Sequence, residues 1–227
     1  MPLPLLRPSL ALACLLLVPA VASAWSQTPL PKLELDIKEA IDPSIRWIRT
    51  QQDRDTGSYG DLKTTAWVLH AFATSPRKYR RTDGAFVRQG VEWLMGQQAE
   101  DGAYGAADIP QAERLQNTSL ATVALYHYLS EGSEKSYAKG LVFLASHGID
   151  DPYSVLPSTT KDKREAHKRA VRLLAARKAD FSWEGSCLKT AQCVAELSAY
   201  RSLLKPKEQE MREATALPRW NLKDAER

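Results

Sequence analysis

The side chains able to do acid, nucleophilic or metal chemistry are few in this sequence, and they are far apart. Carboxylates come close together at Asp53-Arg54-Asp55 and at Asp150-Asp151. An acid that protonates a substrate needs burial and a neighbour that tunes its proton affinity. The first pair precedes Thr56-Gly57 and the second precedes Pro152, contexts in which Asp serves a turn or a helix cap. Both pairs therefore read as solvated turn residues. Past residue 24 two cysteines remain, Cys187 and Cys193, with His70, His127, His147 and His167. No Cys-x2-Cys or His-x3-His spacing links them, so the pattern implies neither metal nor cofactor. Gly-x-Ser-x-Gly, His-Glu-x-x-His and Walker strings are absent as well. Six residues of continuous helix would hold the two cysteine Cα atoms about 9 Å apart, beyond the roughly 7 Å a disulfide spans. A bond would require Cys187 to lie off the helix; a bridge and two buried thiols are both open readings.

Stepping from these residues to the chain that must position them, 227 residues with 44% hydrophobic and 26% charged content describe a globular protein with a real core. Disorder, collagen and rod-like coiled coil are excluded. A net charge of +4 is too mild for a nucleic-acid binder. Residues 1–24 read as an export signal: Arg7, the apolar run Ala11–Val18, Pro19, then Ala22-Ser23-Ala24 as an A-x-A cleavage site. The run is too short to span a bilayer, which takes about 20 apolar residues. The expected protein is exported to the periplasm or the extracellular space, with a domain over 25–204 and a charged tail over 205–227.

Self-comparison shows a repeat. Ile45-Arg46-Trp47-Ile48-Arg49-Thr50-Gln51-Gln52 returns as Val91-Glu92-Trp93-Leu94-Met95-Gly96-Gln97-Gln98, with the tryptophans 46 residues apart. Thr56-Gly57-Ser58-Tyr59-Gly60 then matches Asp101-Gly102-Ala103-Tyr104-Gly105. A degraded copy runs from Val171-Arg172-Leu173-Leu174 to Ala179-Asp180-Phe181-Ser182-Trp183, and Lys139–Leu144 echoes Gln89–Leu94. Each turn is followed by a second helix, for which Asp61, Asn117 and Ser186 are the expected N-caps. Asn117-Thr118-Ser119 also fits a glycosylation acceptor formally, but the cap explains the Asn better. Counting from these caps aligns Thr65-Ala66 with Ala121-Thr122 and Thr190-Ala191, and Leu69 with Leu125 and Val194, an apolar stripe at helical spacing.

The string Trp-x-x-x-Gln-Gln, then Asp-Gly-x-Tyr-Gly, then a Thr/Ala-rich helix, resembles the repeat of the terpene cyclase and protein prenyltransferase superfamily over about residues 40–203. The resemblance implies an all-α fold, an α/α-toroid of helical hairpins. In that family these motifs brace the scaffold. The Gln amide would bond backbone groups where the next helix starts, and the Gly would supply the turn. The chain departs from the family's chemistry. It has no Asp-x-Asp-Asp acid cluster, no zinc-ligand spacing, and no Cys-Gly-Glu-Gln thioester string. Five to seven hairpins of about 45 residues would need roughly 225–315 residues, so 25–227 holds three or four, an open arc.

The expected function is therefore a non-catalytic binding or interaction scaffold for an apolar ligand or partner. Tyr59, Trp67, Tyr104 and Trp183 are its candidate binding residues. The alternative is a lipid-active enzyme, a terpene cyclase or prenyltransferase relative working on an isoprenoid. The implied partners are an apolar small molecule or lipid, or a protein or second copy closing the arc. Lys161–Lys178, with eight basic side chains against Asp162 and Glu165, is a candidate for peripheral membrane contact. Arg77-Lys78-Tyr79-Arg80-Arg81 is a candidate extension of that surface.

Overall fold

The computed structural model describes residues 30–155 and 160–204; the segment read as an export signal and the tail after 204 lie outside them. The described residues are all-helical, with no strand. The seven α-helices are α1 (Leu30–Thr50), α2 (Leu62–Thr74), α3 (Ala85–Gly96), α4 (Gln111–Tyr126), α5 (Glu134–Ser146), α6 (Lys163–Ala176) and α7 (Cys187–Leu204). None of them is long and apolar enough to cross a membrane.

Three helices, α2, α4 and α7, follow the three repeated turns, and they form a central row in the order α7–α2–α4. Their facing residues are small or apolar and fully buried: Thr65, Ala66, Leu69 and Phe72 on α2, Ala121 and Leu125 on α4, Ala191, Val194 and Leu197 on α7. The other helices flank the row. Helix α3 lies on α2 and α5 lies on α4, each against the central helix that precedes it in sequence. Helix α1, the first described helix, lies on α7. The last hairpin is thereby packed onto the first, where the sequence reading expected an arc with its ends apart.

The turns show why the repeat is needed. In the first, Asp53 N–H donates to Ser58 O at 2.9 Å and Gly57 N–H to Asp53 O at 2.8 Å. In the second, Ala99 N–H donates to Ala103 O and Gly102 N–H to Ala99 O; in the third, Lys178 N–H donates to Ser182 O and Phe181 N–H to Lys178 O. Each turn then delivers one aromatic residue whose backbone N–H donates to a threonine hydroxyl in the following central helix. The pairs are Tyr59 to Thr65 at 2.9 Å, Tyr104 to Thr118 at 2.9 Å and Trp183 to Thr190 at 3.0 Å. This restores the correspondence of the central helices: Thr118, not Ala121, is the equivalent of Thr65 and Thr190.

Asn117 is accordingly not an N-cap but an interior residue of α4. Pro110 stands at that helix's N-terminus with φ −52°, since proline lacks an N–H that would in any case be unsatisfied there. The other two caps are as expected. Asp61 accepts from Thr64 N–H at 2.7 Å and Ser186 Oγ from Lys189 N–H at 3.2 Å.

The glutamine brace uses the second Gln of each pair. Gln52 Nε2 donates to Gly57 O at 2.8 Å and to Phe86 O, in α3, at 3.2 Å. Gln98 Nε2 donates to Gly102 O at 3.1 Å and to Ser136 O, in α5, at 2.8 Å. Each ties a turn to the next flanking helix. In the degraded third copy α1 is that helix, and Ser44 Oγ donates to Phe181 O at 2.6 Å.

Candidate functional site

Helix α6 follows the flanking helix α5 with no central helix between them among the described residues. Those between α5 and α6 include a short 3-10 turn, Pro152–Val155, which packs on α4. A cleft of about 960 Å³ opens beside this turn, between α2, α6 and α7. Its apolar wall is Trp67 and Ala73 from α2, Leu173 from α6, and Cys193, Ala195 and Ala199 from α7, with Tyr153 on the turn. Charged side chains enter it as well: Lys78, Lys161, Arg169 and Lys189 against Asp151 and Glu196.

Several of these groups have partners. Arg169 Nε lies 3.1 Å from Glu165 Oε1, and its Nη1 lies 3.9 Å from Glu196 Oε1. Glu196 also accepts from the Tyr200 hydroxyl. The Asp151 carboxylate accepts from Tyr153 N–H at 2.9 Å, the turn role read for Asp150-Asp151. Asp53 likewise accepts the Asp55 N–H at 2.8 Å and the Thr56 N–H at 3.2 Å. Those backbone donors hold its carboxyl below the usual carboxylate range, so it is an ionised turn residue.

Of the four candidate binding residues, the structure brings only Trp67 to the cleft. Tyr59, Tyr104 and Trp183 stand at equivalent places beneath the three turns, at 3%, 0% and 1% exposure. The Tyr59 hydroxyl donates to Phe86 O at 2.8 Å, and Trp183 Nε1 donates to Leu173 O at 2.8 Å. Their rings fill the junction between turn and helices, which is why the repeat keeps an aromatic there.

His70 and His127, which read from the sequence as helix-surface or interhelical residues, are interhelical. They meet across the α2–α4 contact, His70 Nδ1 lying 3.2 Å from His127 Nε2, one ring donating to the other. Trp67 presents its edge to His70 with centroids 5.7 Å apart. His70 also lines the cleft. No spacing rule could have paired residues 57 positions apart; only the α2–α4 register does so. Burial lowers the His70 pKa from 6.5 to about 3, with the neighbouring imidazole adding to the effect. Burial also lowers that of His127, and the Arg80 guanidinium adds to it.

Both imidazoles stay neutral in the fold at pH values where the unfolded chain binds a proton, so stability falls as pH drops below about 6.5. Between pH 7 and 5, the wild type should lose roughly 1–2 kcal/mol more than His70→Gln. Urea unfolding at the two pH values measures this, and equal losses would show that the pair is not held neutral.

Cys187 and Cys193 are both free thiols, and burial pushes each pKa up to about 12; neither is a nucleophile. Among the described residues no group of three His, Cys, Asp or Glu is gathered as a metal centre. A second cavity, of about 900 Å³, lies at the N-terminal ends of α2 and α4 and includes Asp61, Lys63 and Glu113, but no aromatic side chain.

No family model matches the chain, and neither a curated protein nor a solved structure is significantly similar to it.

Proposed function

We propose that this chain is an exported, non-catalytic binding protein on an α/α-toroid scaffold, and that the cleft beside α2, α6 and α7 takes an apolar ligand. The toroid reading is supported by the succession of flanking helices on central ones, with α1 standing to α7 as α3 stands to α2. The observation that carries the binding role is the cleft itself. Where a fourth central helix would complete the pattern, the described residues hold a 3-10 turn, and Trp67 and Leu173 line the space beside it. Concave sites of about 300–1,000 Å³ with a mainly apolar lining are the usual form of small-molecule pockets, and here charged side chains stand beside the apolar wall. The acid pairs sit in turns, so the residues around the cleft favour holding a ligand over transforming it.

The test is titration with the neutral apolar dye N-phenyl-1-naphthylamine, whose emission rises on entering an apolar site. The wild type should bind it saturably. Ala199→Trp places an indole in the cleft from a half-buried position and should weaken binding at least about tenfold, as expected for loss of a well-filled contact. Its urea midpoint should stay near that of the wild type. An absence of saturable binding, or equal binding by Ala199→Trp, would remove the cleft as the site.

A further inference from the structure

The positive charge of the chain is concentrated in one place. Residues 30–155 carry 14 Lys and Arg against 17 Asp and Glu, whereas 161–178 carry eight against two. Helix α6 turns Ala166 and Ala170 fully into the core, so its apolar side is occupied by the fold. Lys163, Arg164, Lys168 and Arg172 are exposed on it. Of the other basic cluster, Lys78 lines the cleft with Lys161 and Arg169, whereas its arginines are held by carboxylates. Arg77 pairs with Asp42 at 2.8 Å, Arg80 with Glu131 at 3.7 Å, and Arg81 with Glu92 at 3.0 Å.

The turn that follows α6 adds an independent observation. Its backbone repeats that of the first two turns, with φ of +82° at Gly57, +92° at Gly102 and +72° at Phe181. The position after the aromatic residue behaves in the same way: +113° at Gly60, +102° at Gly105 and +59° at Glu184. Left-handed backbone costs a non-glycine residue about 1–2 kcal/mol. A scaffold selected for stability alone would keep glycine at 181, yet the chain places there a phenylalanine that is 43% exposed. The Arg177 guanidinium lies 5.5 Å from its ring centroid. Strain retained at an exposed aromatic beside a dense cationic face is the arrangement of a surface that meets something.

We propose that the outer face of α6 and the turn carrying Phe181 dock on an anionic lipid bilayer. The cations meet the headgroups, and Phe181 enters the interface as an aromatic anchor. Helix α6 stays packed in the protein with its apolar side inward, so contact is peripheral and the helix does not embed. Helix α6 also bounds the cleft, through Arg169 and Leu173, so a docked protein holds the cleft beside the membrane surface. The docking does not depend on the cleft being occupied.

The experiment is co-sedimentation of the purified protein with vesicles of phosphatidylcholine alone and of equimolar phosphatidylcholine and phosphatidylglycerol. Binding should require the anionic lipid and weaken as salt is raised. A variant carrying Lys163→Gln, Arg164→Gln, Lys168→Gln and Arg172→Gln should bind on the order of a hundredfold or more weakly, at about fivefold per cation removed. Phe181→Gly, which suits the +72° backbone, should lose about tenfold in binding while its thermal midpoint is unchanged or raised. A purely structural Phe181 would leave vesicle binding intact. No preference for anionic vesicles, or an unaffected charge variant, would overturn the proposal. So would a Phe181→Gly variant that binds normally while soluble heparin displaces the protein, because that would mark a site for soluble polyanions.

Discussion

Replacing Arg201 with methionine should lower the stability of this protein by about 3–5 kcal/mol, the usual cost of stranding one member of a buried ion pair. Arg201 Nη2 lies 2.5 Å from Glu34 Oε1, and the two side chains are only 13% and 8% exposed. The pair joins the last turn of α7 to the first half of α1, the contact that packs the last described helix onto the first. Removing the guanidinium leaves the Glu34 carboxylate in a pocket with little water to solvate it. The double variant Glu34→Leu, Arg201→Met should recover most of the loss, because two apolar side chains of similar volume need no compensating charge. Urea unfolding of the three variants measures both values. A single variant within about 1 kcal/mol of wild type, the range of an exposed pair, would mean that the α1–α7 contact rests on its apolar residues alone.

Gly102→Ala is expected to cost about 2–5 kcal/mol, from left-handed strain and from overpacking together. Its φ is +92°, and a Cβ at this position would sit 2.5 Å from Lys139 O. A carbonyl in the middle of α5 cannot move aside without distorting the helix. Gly148→Ala separates the two contributions. Its φ of +75° is similarly left-handed, but no atom lies within 4 Å of the added carbon, so strain alone should cost it about 1–2 kcal/mol. The difference between the two variants, read from urea unfolding, is the steric price of the close approach between turn and helix. Equal losses would show that α5 yields.

The local pieces of this fold were legible in the residues. Trp47 and Trp93, the Gln pairs and the Gly-x-Tyr-Gly strings mark two copies of one unit, and the helical stripes after them are visible as spacing. Such features depend on neighbours along the chain, where period and turn chemistry act directly. The third copy was legible only in part. Phe181 and Glu184 stand where glycines belong, and the hydrogen bonds of the turn frame them in the conformation those glycines would have taken.

One error was local. Asn117 looked like a cap because it is a good one, but Pro110 starts α4 earlier, and a capping residue inside a longer helix simply has no cap to make. The candidate aromatics were legible as residues but not as places: Tyr59, Tyr104 and Trp183 stand buried under turns, where the same rings fill the core.

What remained was beyond any reading of spacing. That α1 lies on α7, that Glu34 meets Arg201, that His70 meets His127, and that a cleft opens beside the 3-10 turn Pro152–Val155 are all facts about elements far apart in sequence. Composition and periodicity specify which face of a helix is apolar, and so they dictate that the helices pack. Which helix covers which face is chosen by the combined fit of all of them. In this chain that choice placed Trp67 in a cleft and the positive charge of α6 on the outside.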